Sequence, residues 1–257
     1  MWDTKRRQIP WWAAASAVAA PLLLTGGFVV AAALQPASYS PIRDTISSLG
    51  AQSATDPWVM TMALVGVGTC YLLTALGLRP ARRLGRIALA GGGAATLLIA
   101  VFRQPLHGYS TSHGLAVVAA CTAMCTWPPL AAHRRHRAPL LTLVPCVTAA
   151  AMTFGLTLWF AFENHGGEVG LAERCAAVAA ALWLSPVVLS TRRALASPPV
   201  PDGQRDTPTL AVAPLESVPD PEADSKIPAF VHPRRRVRIT RRGDSHTRTS
   251  GHSHAER

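Results

Sequence analysis

The stretch WAAASAVAAPLLLTGGFVVAAAL, residues 12–34, decides the fold, because its 23 residues carry no charged side chain. An α-helix rises 1.5 Å per residue, so about 20 residues cross the roughly 30 Å hydrocarbon layer of a bilayer. A helix also satisfies its own backbone hydrogen bonds in lipid, which an irregular segment does not. Residues 12–34 are therefore predicted to form a transmembrane helix.

Five further apolar runs repeat this pattern along the chain. The chain as a whole is 49% hydrophobic and only 15% charged, whereas soluble domains carry about 25% charged residues. The charges are concentrated between the apolar runs, which is typical of membrane proteins. The sequence thus predicts an all-α fold, an integral membrane six-helix bundle. The expected spans are residues 12–34, 58–78, 87–103, 113–132, 139–161 and 171–191.

The chain divides into three parts: a short N-terminal segment (1–11), the membrane domain (12–193) and a C-terminal tail (194–257). The tail is rich in Pro, Ser, Thr, Asp and Glu and then in Arg, without apolar periodicity. Such a segment cannot bury enough apolar surface to offset the entropy of ordering, so it is predicted to be disordered. The first span resembles a signal peptide, but it exceeds the usual apolar length of about 7–15 residues. An uncleaved anchor is therefore expected.

Basic residues are concentrated in alternate loops, whereas the intervening loops hold only Arg43, Arg103 and Arg174. The positive-inside rule then places both termini in the cytoplasm. His133 and His136 lie within one basic loop and are expected to add to its charge. The basic residues beside the spans on this side are Lys5, Arg6, Arg7, Arg79, Arg82, Arg83, Arg86, Arg134, Arg135, Arg137, Arg192 and Arg193.

The net charge of +11 is therefore largely explained by membrane topology and by the tail, and no nucleic-acid partner is expected. Membrane lipids are the expected partners. A polybasic stretch near the chain end is predicted to contact anionic lipid, each charge contributing about 1 kcal/mol at the surface. An Ala- and Arg-rich, Lys-poor composition favours a bacterial cell membrane. The polybasic stretch contains Arg234, Arg235, Arg236, Arg238, Arg241 and Arg242.

Polar residues that topology does not explain collect at the predicted extracytoplasmic face. Ser40 is a good helix N-cap and Gly50 a good terminator, so residues 40–50 predict a short amphipathic surface helix. Charges at span ends usually pair or face a wet cavity. The cluster is therefore either a closed ion-pair cap, with Asp44, Glu163 and Glu173 as acids, or a polar pocket. Its members are Arg43, Asp44, Ser47, Arg103, His107, His113, Glu163, Glu173 and Arg174.

A metal-dependent hydrolase is the enzymatic alternative at this face. His107, His113 and His165 are the candidate metal ligands, and Asp44 and Ser47 are the candidate catalytic residues. Zinc needs three or four N or O ligands with an open position for water. The chain contains no His-Glu-x-x-His motif, and His107 and His113 are not at the spacing of one helical face. A non-enzymatic protein without a cofactor is the favoured interpretation.

Three stretches, Arg-Asp-Thr-Ile-Ser-Ser-Leu-Gly-Ala (43–51), His-Gly (113–114) and Gly-Leu-Ala-Glu-Arg (170–174), carry a family resemblance. Their order and their positions at span ends resemble the bacterial and archaeal domain-of-unknown-function 998 family of small polytopic membrane proteins. The resemblance covers roughly residues 12–192 and omits the tail. It implies the fold and the topology, and it implies no reaction.

Three functions remain open. The first is binding or handling of a lipid-like or small apolar ligand at the extracytoplasmic face, favoured by the polar cluster above a Gly-rich bundle. The others are the hydrolase and a structural or regulatory protein acting through its basic tail. The runs 58–78, 113–132 and 139–161 contain no Asp, Glu, Lys or Arg. Proton-driven transport is therefore not expected.

Overall fold

The computed structural model describes residues 8–105, 110–163 and 167–196. Within these ranges the chain forms seven α-helices and no β-strand. Six of the helices are long and apolar enough to cross a membrane, which confirms the predicted six-helix membrane fold. The tail arginines lie outside the described residues, so their contact with anionic lipid stays a prediction.

The long helices have nearly the bounds predicted from hydropathy. One begins earlier, at Arg83, where Arg86 donates from Nε to the carbonyl of Ala75 at 2.8 Å and so caps the preceding helix. The last one continues to Ala196, past the predicted end of the membrane domain. The long helices are α1 (Trp11–Ala33), α3 (Trp58–Gly77), α4 (Arg83–Val101), α5 (Thr111–Ala131), α6 (Leu143–Phe162) and α7 (Val169–Ala196), and α2 (Ile46–Leu49) is short.

The six long helices form a ring. Each one packs against the next in the chain, and α7 packs back against α1. Small residues allow the close approach: a Cβ on Gly68 would lie 2.8 Å from the carbonyl oxygen of Gly93, and the reverse distance is also 2.8 Å. Ser185 closes the ring by donating to the carbonyl of Ala17 at 2.8 Å. Large apolar side chains such as Val144 point outward, as expected for helices that face lipid.

Helix α6 is the least buried member of this ring. Only Cys146, Ala149 and Thr153 of its 20 residues are buried. Its outer surface carries exposed apolar side chains, including Phe154, which is 54% exposed. Because few side chains anchor α6, it is the helix whose displacement costs least packing energy.

Two histidines join the basic loops at the arginine-rich end of the bundle. His133 Nε2 lies 3.0 Å from the carbonyl oxygen of Pro80, and His136 Nδ1 accepts a hydrogen bond from the Ala138 N–H at 3.0 Å. The two rings stack with centroids 5.0 Å apart. Burial, together with neighbouring His133, lowers the pKa of His136 below its ordinary value. The prediction that His136 adds positive charge is therefore wrong at neutral pH, because its Nδ1 serves as an acceptor.

Stability of this loop should fall as the pH drops below about 6.5, where His136 of the unfolded chain begins to protonate. The folded-state pKa is lower, so the unfolded state binds more protons in this window and acid favours unfolding. Since the ring is partly exposed, we expect a change of at most about 1 kcal/mol. Thermal unfolding followed from neutral to mildly acidic pH measures it. His136→Asn retains an acceptor without titrating and should flatten the profile; equal slopes in both proteins would contradict the assignment.

Candidate ligand-binding site

The loop after α1 folds into a tight turn before α2 begins. The Asp44 carboxylate accepts a hydrogen bond from the Ser40 N–H at 2.6 Å, and the Asp44 N–H donates to the Ser40 carbonyl at 2.7 Å. Thr45 then caps α2 by accepting from the Ser48 N–H at 3.1 Å. The predicted N-cap at Ser40 is therefore wrong. The Asp44 carboxylate closes residues 40–44 into a turn, and the helix starts only at Ile46.

Arg174 of α7 holds this loop against the bundle. Its Nη1 donates to the carbonyls of Pro41 at 2.7 Å, Asp44 at 2.8 Å and Gly170 at 2.8 Å. Its Nη2 donates to the Tyr39 hydroxyl at 2.5 Å. The side chain is only 9% exposed. Arg174 was expected to form an ion pair with the Asp44 carboxylate. It binds the main-chain carbonyl of Asp44 instead, because the carboxylate is bound to the Ser40 N–H.

Three further contacts complete what we call the arginine clasp, the joint of Gly170–Arg174 with residues 39–45 and with Phe28. The Leu171 N–H donates to the Ile42 carbonyl at 3.0 Å. Gly170 lies directly against the Asp44 carbonyl, with no room for a side chain. The guanidinium also lies 5.5 Å from the centroid of the Phe28 ring on α1, in a cation–π geometry. Burial raises the pKa of Tyr39 although the Arg174 charge acts in the opposite direction, so the phenol stays protonated.

Glu173, the neighbour of Arg174, faces a different side of α7. Its carboxylate accepts hydrogen bonds from the Ile46 N–H and from the Ser47 hydroxyl, the latter at 2.9 Å. Consecutive residues on a helix point about 100° apart. One helix end therefore directs a cation into the clasp and a carboxylate toward the inside of the ring.

The carboxylate lies at the edge of a cavity inside the ring, which we call the chamber. The chamber has a volume of about 130 Å³ and is lined by residues from all six long helices and from α2. Most of its wall is apolar. Among the residues that the structure describes, Glu173 is the only charged one in this lining. The polar lining residues are Ser47, Tyr71, Thr96, Cys121, Thr153, Thr157 and Glu173.

A second, larger cavity of about 510 Å³ runs between α5 and α6, and we call it the crevice. Its wall includes Val118 and Phe154, which are 63% and 54% exposed, so the crevice opens on the side of the bundle. It adjoins the chamber, because several residues line both cavities. These shared residues are Ser47, Val117, Cys121, Thr157 and Phe160.

The other members of the predicted cluster that the structure describes do not line the chamber. Arg43 and Arg103 are exposed. Glu163 follows α6 and accepts from the Glu168 N–H at 3.4 Å. His113 is buried, with Nδ1 2.7 Å from the Phe102 carbonyl oxygen and Nε2 without a partner among the described residues.

Asp44 and Ser47, the predicted catalytic residues, do not bind each other. The Asp44 carboxylate binds the Ser40 N–H, whereas the Ser47 hydroxyl donates to Glu173. Within residues 8–105, 110–163 and 167–196, no three His, Cys, Asp or Glu side chains come together as a metal site. The candidate ligands His107 and His165 lie outside those ranges.

The chamber walls were not predicted from the sequence. Thr153 and Thr157 are four residues apart and so share one face of α6. This spacing in the sequence could have predicted a polar stripe along α6. The sequence of one helix does not show which other helices its polar face packs against. The position of this face opposite Cys121 and Glu173 was therefore not predicted.

A ring of six apolar helices around a chamber with one carboxylate defines a multi-pass membrane protein of all-helical fold. A family model described as "Protein of unknown function (DUF998)" matches residues 17–190, and the chain belongs to this family. The match extends from α1 into α7 and includes the clasp and the chamber. No curated protein and no solved structure matches the chain.

Proposed function

We propose that the protein binds a lipid-like amphiphile, with the polar head at Glu173 and Ser47 and the chain in the chamber and crevice. The observation that supports this most directly is an apolar chamber with one carboxylate at its edge and a side opening. Ligand sites are typically apolar cavities with a few placed polar groups. The concentration of arginines at the opposite end of the bundle supports an extracytoplasmic position for the head.

The cavity sizes favour a chain-like ligand. The chamber volume of about 130 Å³ is close to that of an engineered apolar cavity of about 150 Å³ that binds benzene. The chamber can therefore hold only part of a hydrocarbon chain. The crevice, at about 510 Å³, falls within the range of about 300–1,000 Å³ that is usual for ligand pockets. A ligand that fills both must be long, narrow and mostly apolar.

The crevice also supports a route of entry from the bilayer. It lies between α5 and α6, and its exposed residues Val118 and Phe154 are positioned to face lipid. Helix α6 is the least buried wall of the ring. A hydrocarbon chain can enter here without crossing water, because both the bilayer and the crevice are apolar.

Blocking the junction of the two cavities tests this function. Cys121→Phe places an aromatic ring where the chamber meets the crevice, whereas Ala119→Phe adds the same ring to an exposed position on α5. The probe is a photoactivatable dodecanol, added to the full-length protein in phosphatidylcholine vesicles. We expect labelling of crevice residues to fall about tenfold in Cys121→Phe, equivalent to about 1.4 kcal/mol of binding. It should stay unchanged in Ala119→Phe.

Equal labelling of crevice residues in both variants would contradict the proposal, because it would indicate that the probe binds the outer surface of the bundle. Labelled peptides are identified by mass spectrometry. Both variants are first compared in thermal unfolding, so that a loss of labelling is read only from folded protein.

A further inference from the structure

We propose that the ligand head is a hydrogen-bond-donating cation, a protonated amine, and that amphiphiles with an anionic head are rejected. This inference rests on the proposed function and specifies the chemistry of its head group. It follows from three observations: the surroundings of the Glu173 carboxylate, its free hydrogen-bonding capacity and the direction of the hydroxyl groups.

The first observation is the apolar surroundings of the Glu173 carboxylate. The Glu173 carboxylate faces an apolar lining in which no other described residue is charged. A charge drawn into apolar surroundings is costly unless a partner compensates it. Adjacent Arg174 acts on this charge only at a distance, because its guanidinium donates to the clasp carbonyls and to Tyr39 and not to the carboxylate. A cationic ligand would supply a direct partner.

The free hydrogen-bonding capacity is the second observation. A carboxylate offers about four lone-pair positions on its two oxygens. The Ile46 N–H, the Ser47 hydroxyl and the Ser47 N–H are directed at three of them. The carboxylate can therefore accept a further hydrogen bond, and an ammonium group carries three donors in a compact head.

The third observation is that three of the five hydroxyl groups in the chamber lining donate their protons to the protein. Ser47 donates its proton to Glu173 at 2.9 Å, Thr96 to the Gly92 carbonyl at 2.8 Å, and Thr157 to the Thr153 carbonyl at 2.8 Å. Each of these hydroxyls thus keeps lone pairs as acceptors, although the Thr157 oxygen also lies 3.8 Å from the Cys125 thiol. Acceptors suit a donor-rich head, whereas a carboxylate or phosphate head would meet acceptors and a like charge.

A series of ligands with one chain and three heads tests the inference. Dodecylamine, dodecanol and dodecanoate are added to the full-length protein in phosphatidylcholine vesicles at neutral pH. The readout is the rate at which N-ethylmaleimide alkylates Cys121, which lines both cavities. Cys175 lines neither cavity and serves as the internal control.

We expect dodecylamine to protect Cys121 at a concentration about tenfold lower than dodecanol, and dodecanoate to protect least. Glu173→Gln should abolish the preference for the amine and retain protection by dodecanol. Its amide oxygen still accepts from Ser47, so the fold is expected to persist. Glu168→Gln, a change at an exposed glutamate of the same helix end, should keep the preference.

The possible results separate the two proposals. Equal protection by all three heads, or an amine preference that survives Glu173→Gln, would overturn the head-group inference and leave the lipid-binding function standing. The absence of protection by every head would overturn the function itself. The comparison of amine with carboxylate in the unmodified protein decides the matter even where a variant does not fold.

Discussion

Replacement of Arg174 by methionine should lower the free energy of unfolding by about 3–5 kcal/mol, because several polar groups at one joint lose their hydrogen-bond donor together. The side chain is 9% exposed and supports the carbonyls of Pro41 and Asp44 and the Tyr39 hydroxyl. Methionine fills part of the space without donating a hydrogen bond. These partly buried carbonyls would then lose their donor, at about 1–3 kcal/mol for each group that water does not reach. Unfolding in mixed micelles with increasing dodecyl sulfate measures the change.

Arg43→Met is the matched control, because Arg43 is exposed and belongs to the same loop. We expect it to change stability by no more than about 0.5 kcal/mol. Arg174→Lys should restore only part of the loss, since a single ammonium cannot reproduce the planar fork of donors. Similar losses in Arg174→Met and Arg43→Met would show that the clasp does not stabilise the fold.

Replacement of Gly170 by alanine should also lower the free energy of unfolding strongly. Even the Cβ of alanine would overlap the Asp44 carbonyl and lie 2.8 Å from the Pro41 carbonyl oxygen. These are backbone atoms held by Arg174, so relief requires the whole loop to move. We expect Gly170→Ala to destabilise the protein by about 3 kcal/mol, at the upper end of overpacking costs, as measured by the same unfolding titration.

Gly155→Ala makes the same change in α6, where nothing lies within 4 Å of the added Cβ. There we expect no loss, or a gain of up to about 1 kcal/mol, since alanine favours a helix over glycine. Should the two alanine variants unfold alike, the close contact at Gly170 would be of no energetic importance.

The helix count could be predicted from the sequence because it depends on one local property. A run of about 20 apolar residues has no stable alternative in a bilayer other than a helix. The helix ends were less predictable, since they depend on single side chains: Arg86 of α4 caps the end of α3, and Thr45 rather than Ser40 caps α2.

The site could be predicted only in part. Polar residues at span ends marked Asp44, Ser47, Glu173 and Arg174, and the structure brings these four around one loop. Their roles depended on which atoms meet, and the sequence does not contain that information. Arg174 binds carbonyls instead of carboxylates, and Glu173 faces a chamber whose walls come from six separate helices.

The arginine clasp has a consequence for the order in which the protein is made. It joins residues 133 positions apart, so residues 39–47 leave the ribosome long before α7. Until that last helix is inserted, the loop lacks Arg174 and the chamber lacks Glu173. A chain that stops after α6 would hold five long helices in the membrane without a closed ring. The clasp and the chamber are therefore completed last, and only molecules that include α7 can form them.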